Sequence, residues 1–154
     1  MSETITGQLV GTGARIGVLA ARFNDTIVER LVSGAVDGLV RRGVSDDAIT
    51  IAWVPGALEL PIAAQAMASS GRFDAIIALG AVIRGSTGHY DVVVNNCCSG
   101  LACVALDAKV PVINGVLTVE SIEQAVERAG TKSGNKGFDC AAVAIEMINL
   151  LRQL

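Results

Sequence analysis

Four apolar, β-branched runs, each followed by a stretch of helical periodicity, leave this chain few folds to choose from. Residues 15–20 (RIGVLA), 49–54 (ITIAWV), 74–82 (DAIIALGAV) and 110–117 (VPVINGVL) read as strands. Helices are expected at 26–42, 58–70 and 90–108, and, after the last strand, at 121–129 and 135–151. In the first of these Ile27, Leu31, Ala35 and Leu39 recur at spacings of four, one face of a helix. Pro61 is tolerable in the first turn of the second, and Ser121 offers cap chemistry to the fourth. Continuously apolar strands alternating with helices imply a parallel sheet covered on both faces. With right-handed crossovers this is a doubly wound, three-layer α/β/α sandwich on a four-stranded parallel sheet.

Nothing divides the chain: there is no linker, repeat or low-complexity stretch, and 1–154 is read as a single domain. Residues 1–13 read as an extended N-terminal arm, with a strand at 4–10 (TITGQLV). That segment is too polar for a central strand but able to pair with the sheet edge of a neighbouring subunit.

A domain of this length buries roughly 70% of the surface its unfolded chain exposes. The apolar fraction is 51% and the mean hydropathy +0.53, more than such a domain needs for its own core. The surplus points to contact with another chain, a homo-oligomer. No apolar run approaches the roughly 20 residues of a bilayer span, so no membrane is expected. A net charge of −3 without a basic run argues against nucleic acid. Residues 1–13 lack the basic start and apolar core of a signal peptide, which points to the cytoplasm. Cys97, Cys98, Cys103 and Cys140 form no CxxC pair and have no histidine at ligand spacing, so they read as buried, reduced thiols and not as a metal site.

In a parallel sheet of this kind ligands sit beyond the carboxyl ends of the strands. Those ends are 21–24, 55–59, 81–89 and 114–118. The third is the richest: an apolar strand runs into GAVIRGSTGHYD, residues 80–91, and then into a helix. A Gly/Ser/Thr turn at a helix start gathers unpaired amides and the positive dipole end, which suits an anion. His89, the only histidine, stands there as a proton carrier or as a structural cap. Arg84, Ser86 and Thr87 can cradle a phosphate, with Arg128 and Lys136 completing the site or lying solvated on their helices. Phe23 either stacks on a planar ring or caps the core. Glu59 either accepts hydrogen bonds from a polyhydroxyl or amine ligand or is solvated at a helix start.

Two glycine-rich strings carry no such chemistry. GTGA at 11–14 precedes its strand, where a dinucleotide fingerprint must follow one. GTKSGNKG at 130–137 has Asn135 where a phosphate loop needs its second glycine, and it follows a helix.

The ordered motifs ARFND (21–25), WVPGALELP (53–61), GAVIRGSTGHYD (80–91) and PVINGVLTVESIEQAVERAGTKSGNKG (111–137) resemble the 6,7-dimethyl-8-ribityllumazine synthase family over nearly the whole chain. The resemblance implies a flavodoxin-like sheet and no metal or redox cofactor. It implies condensation of two small molecules, 5-amino-6-(D-ribitylamino)uracil and 3,4-dihydroxy-2-butanone 4-phosphate, in the penultimate step of riboflavin biosynthesis. Phe23 would stack on the pyrimidine, with Asn24, Ala57, Leu58, Glu59, Ala81, Val82 and Ile83 around the ribitylaminouracil. Ser86, Thr87 and Arg128 would bind the phosphate, Arg128 displacing Arg84 as its charged partner, and His89 would move protons. Asn114, Arg128 and Lys136 would reach a ligand held by the adjacent chain. Asn114 departs from the phenylalanine common in the family, and Cys97 and Cys98 replace small residues.

The resemblance further implies pentamers or a sixty-subunit shell, with riboflavin synthase as a possible partner. The short 130–137 connection and the proline-free arm favour the shell. A non-catalytic flavin- or nucleotide-binding module and a purely structural shell are the competing readings. Glu59, His89 and Arg128 occurring together speak against a vestigial site.

Overall fold

A computed structural model describes all of residues 1–154. The strands Ile16–Ala21 (β1), Ile49–Val54 (β2), Ala75–Ile83 (β3) and Val112–Val119 (β4) pair in parallel, in the order β2-β1-β3-β4. The five helices are Asp25–Arg41 (α1), Leu60–Ser69 (α2), His89–Ala108 (α3), Ile122–Glu127 (α4) and Lys136–Leu151 (α5). The sandwich expected from the strand pattern is thus the fold.

Period-two alternation inside the apolar strands divides the core in two. Ile16, Val18 and Ala20 of β1, with Ile77 and Leu79 of β3, pack against α1 and α5. Leu19 and Ala21, with Ile76 and Ala78, face Leu60 and Ala64 of α2 and Cys97 and Leu101 of α3. Every residue of β1 is buried, as a strand covered on both faces must be. Helices approach closely where side chains are missing. A Cβ on Gly137 would meet the Leu31 carbonyl of α1, and one on Gly100 would lie 2.6 Å from Pro61 Cγ of α2.

Three departures from the sequence expectation have local causes. A 3-10 turn, Ala57–Glu59, takes the residues read as the start of α2. Helix α4 is confined to six residues because the chain turns at Arg128 into a hairpin, Ala129–Thr131 (β5) with Gly134–Asn135 (β6), which no periodicity announces. Gly130 and Gly134 there have φ of 111° and 76°, a region open to glycine at little steric cost. Ser121 does cap α4, its Oγ accepting from Gln124 N at 3.2 Å.

The arm differs as well. Residues 1–13 contain no strand. They lie along α5, where Asn149 Nδ2 donates to the carbonyls of Gln8 (2.6 Å) and Val10 (2.9 Å), and Gln153 Nε2 donates to that of Thr6 (2.7 Å). Within one chain the arm has no sheet edge beside it, and the side-chain amides of Asn149 in α5 and of Gln153 just beyond it supply donors to its carbonyls.

Helix α3 also corrects the membrane argument. By length and composition it is apolar enough to cross a bilayer, with a hydropathy of 1.2. Its Val, Leu, Ala and Cys residues carry that value, although His89, Asp91, Asn95, Asn96, Ser99 and Asp107 interrupt any unbroken apolar run. Here it lays Val93, Cys97, Leu101 and Val104 on the sheet and leaves Val92 and Leu106 exposed. Of the thiols expected to be buried, it leaves Cys103 exposed and Cys98 only partly buried.

Candidate active site

The strand order reverses between β1 and β3, so the loops leaving their carboxyl ends part in opposite directions and open a crevice. A pocket of about 420 Å³ occupies it. It is lined by Phe23 and Asn24 after β1, by Pro55 to Glu59 after β2, and by Ala81, Val82, Ile83, Gly85, Thr87 and His89 at and beyond the end of β3. Tyr90 and Val93 of α3 complete it.

Phe23 is 73% exposed. An aromatic side chain this open at the mouth of a pocket is not a cap on this chain's core, and its ring faces are left uncovered. Glu59, which lines the same pocket, is half-buried at the end of the 3-10 turn, directly before α2. Asn24 sits between β1 and α1 with φ 65° and ψ 41°, a left-handed conformation that asparagine tolerates better than most residues. Its Nδ2 donates to the Ala81 carbonyl at 2.8 Å, so this amide joins two walls of the pocket.

His89 is the first residue of α3 and is exposed. No side chain caps that helix at Gly88, and the His89 amide donates to Thr87 Oγ1 at 3.3 Å. The following amides of the first turn lack intrahelical partners and point toward the turn at 85–88. Ser86 is exposed on that turn but does not line the pocket. The only charged or titratable groups of this lining are Glu59, His89 and Tyr90; it contains no arginine or lysine.

The basic residues expected to complete an anion site are elsewhere. Arg128 and Lys136 share a second hollow of about 330 Å³ at the end of β4, with Thr118, Ser133 and Asp139. Arg128 Nη1 donates to the Gln124 carbonyl at 3.1 Å, and its own carbonyl accepts from Lys136 N at 2.9 Å. The hairpin therefore brings two cations eight residues apart to one rim. Asn114 lines neither hollow: its Nδ2 lies 3.3 Å from Cys98 Sγ, and its Oδ1 accepts from Val116 N at 3.0 Å.

One chain thus gathers Phe23, Asn24, Ala57, Leu58, Glu59, Ala81, Val82, Ile83, Thr87 and His89, and keeps Arg128 and Lys136 apart from them. Tyr90, Val93, Ser133 and Asp139 were not anticipated. The signal for Val93 was available, since it stands one helical turn beyond His89 on the same face. Ser133 and Asp139 depend on the hairpin and had none. No three His, Cys, Asp or Glu side chains converge in the chain. The family model described as 6,7-dimethyl-8-ribityllumazine synthase matches residues 13–152.

Proposed function

The chain belongs to the 6,7-dimethyl-8-ribityllumazine synthase family of riboflavin biosynthesis, whose members are transferases, and on that premise we propose the reaction, the residue roles and the assembly. The substrates are 5-amino-6-(D-ribitylamino)uracil and 3,4-dihydroxy-2-butanone 4-phosphate, joined in the penultimate step of the pathway, in the cytoplasm and without metal or redox cofactor. The 5-amino nitrogen attacks the ketone and water leaves, forming an imine. Elimination of inorganic phosphate follows. The resulting enol becomes a carbonyl, on which the ribitylamino nitrogen closes the second ring with loss of water.

Phe23 stacks on the pyrimidine while Glu59 and the backbone at 57–58 and 81–83 hold its polar edge and ribityl chain. His89 delivers and removes protons at the condensing nitrogen and carbonyl, a contribution of roughly 10²–10⁴-fold for a well-placed histidine. The lower end is expected, because amine and ketone condense readily and holding them together supplies most of the acceleration. Ser86, Thr87 and the start of α3 receive the phosphate, whose charge Arg128 and Lys136 balance.

The observation that carries this reading is the division of labour between the two hollows. The ring-binding and proton-transfer groups line a pocket without a cation, and the cations line a hollow without an aromatic side chain. Each chain then supplies the pocket of one site and the cations and Asn114 wall of the next. Exposed Ile62, Val92 and Leu106 on the α2–α3 layer, and Ile122 and Val126 on α4, give apolar surface for such a contact. The assembly is built of pentamers, arranged as a sixty-subunit shell able to enclose riboflavin synthase, with the arm transferred from α5 to a neighbour's sheet edge.

Mixing the two substrates with purified protein tests the activity. Lumazine absorbance appears above the uncatalysed rate; no excess over that rate would overturn the assignment in favour of a binding module. Sedimentation tests the assembly, and a species of five chains would overturn the shell.

A further inference from the structure

Arg84 looks like a phosphate ligand in the sequence but is engaged elsewhere. Its backbone amide donates to the Val119 carbonyl at 2.9 Å, anchoring it to the end of β4. Its Nε lies 2.8 Å from Glu120 Oε2, its Nη2 3.5 Å from Asp91 Oδ1, and its guanidinium stacks 4.3 Å from the centre of the Tyr90 ring. Tyr90 and Asp91 belong to the first turn of α3. One side chain therefore ties both ends of the turn at 85–88 to β4. The turn has little else: a Cβ on Gly85 or Gly88 would meet nothing within 4 Å, and the one side-chain hydrogen bond inside it is Thr87 to the His89 amide.

We propose that Arg84 is a positioning residue. By clamping Tyr90 and Asp91 to Glu120, it holds the 85–88 turn and the start of α3 in the form that receives the phosphate and presents His89. The inference rests on the lumazine synthase reading for the identity of the anion. Exposed ion pairs contribute little to global stability. Their consequence here is local, because they restrain a glycine-bounded turn that would otherwise sample many conformations. Lysine replaces the clamp only in part, since it lacks the planar fork that meets two carboxylates while stacking on a ring.

Three variants test this: Arg84→Ala, Arg84→Lys and Glu120→Ala, each checked by thermal melting for an intact fold. The probe is inorganic phosphate, titrated calorimetrically, together with KM for each substrate. Arg84→Ala and Glu120→Ala both weaken phosphate about tenfold. Arg84→Lys falls between them and wild type, and KM for the pyrimidine stays unchanged. Wild-type phosphate affinity in Glu120→Ala beside a loss in Arg84→Ala would overturn the clamp, because Arg84 would then contact the anion itself. Equal rises in both KM values would do the same. Hydrogen exchange of the amides at 85–91 requires no activity: it accelerates in both alanine variants if the clamp exists, and unchanged exchange overturns it. Absence of lumazine formation by wild type, with accelerated exchange in the variants, would remove the assigned reaction and leave the clamp standing.

Discussion

Asn24, in the turn between β1 and α1, donates its side-chain amide to the carbonyl of Ala81, near the end of β3, across 57 residues of sequence. The bond spans the crevice where the strand order reverses and holds the Phe23 loop against the floor of the pocket. Asn24→Ala loses this bond and places a Cβ without local hydrogen bonding at φ 65°, whereas Asn24→Gly loses the bond without that strain, at a smaller cost in unfolded-chain entropy. The alanine variant should therefore be the less stable of the two, by about 1 kcal/mol. Denaturant midpoints of the pair check the order, and glycine falling below alanine would contradict it.

Phe23→Ala should leave the melting temperature nearly unchanged, because the ring is largely exposed and supports no core. The KM for the ribitylaminouracil should rise by about 2–10-fold, the worth of one stacked aromatic pair. A marked fall in stability with unchanged KM would make the ring a core cap.

His89→Ala and Arg128→Ala should fail differently. The first lowers kcat by about 10²-fold with small effects on either KM. The second raises KM for the butanone phosphate more than for the pyrimidine, since Arg128 stands with Lys136 in the cationic hollow. Steady-state kinetics with each substrate varied separately distinguish them. Equal effects of Arg128→Ala on both substrates would remove it from the phosphate site.

At the other end of the sheet, Asp74 receives hydrogen bonds from Arg15 N at 2.8 Å and from Arg15 Nη2 at 3.1 Å, with Arg152 at 3.9 Å. Burial alone would push its carboxyl up, but these bonds and the two guanidinium charges outweigh it and leave the pKa below the ordinary 3.8. A depressed carboxyl stabilises the fold above its unfolded value and loses that contribution as pH falls through the folded one. Asp74→Asn should thus be less stable than wild type at neutral pH, with the gap closing below about pH 3.8. Urea midpoints at several pH values read this directly, and a gap independent of pH would remove the charge from the explanation.

Burial pushes the thiols of Cys97 and Cys140 up from 9.0 to about 11, with the neighbouring Cys98 adding to the first and Lys136 opposing it at the second. Neither is a thiolate at neutral pH, and only a thiolate is alkylated quickly. Iodoacetamide near pH 8 should spare both in the native protein and label them in urea. Labelling of either at the rate of an unfolded thiol would contradict the packing. The stability each contributes by staying neutral is complete below 9.0 and is lost as pH rises toward 11.

The sequence by itself determined the layers, because burial on both faces of a sheet leaves continuous apolar runs and helices leave a 3.6-residue period. It also determined which segments line the crevice, since the parallel class sends every strand's carboxyl end to one side. Phe23, Glu59 and His89 were legible for that reason. Tertiary structure alone decided how those segments combine. That Asn24 binds Ala81, that Arg84 serves the turn from Glu120 and Tyr90, that a hairpin sets Arg128 beside Lys136 in a hollow of its own, and that the arm rests on α5 are contacts between distant residues. Such contacts depend on the strand order and on a few directional bonds, and these leave no periodic trace along a chain.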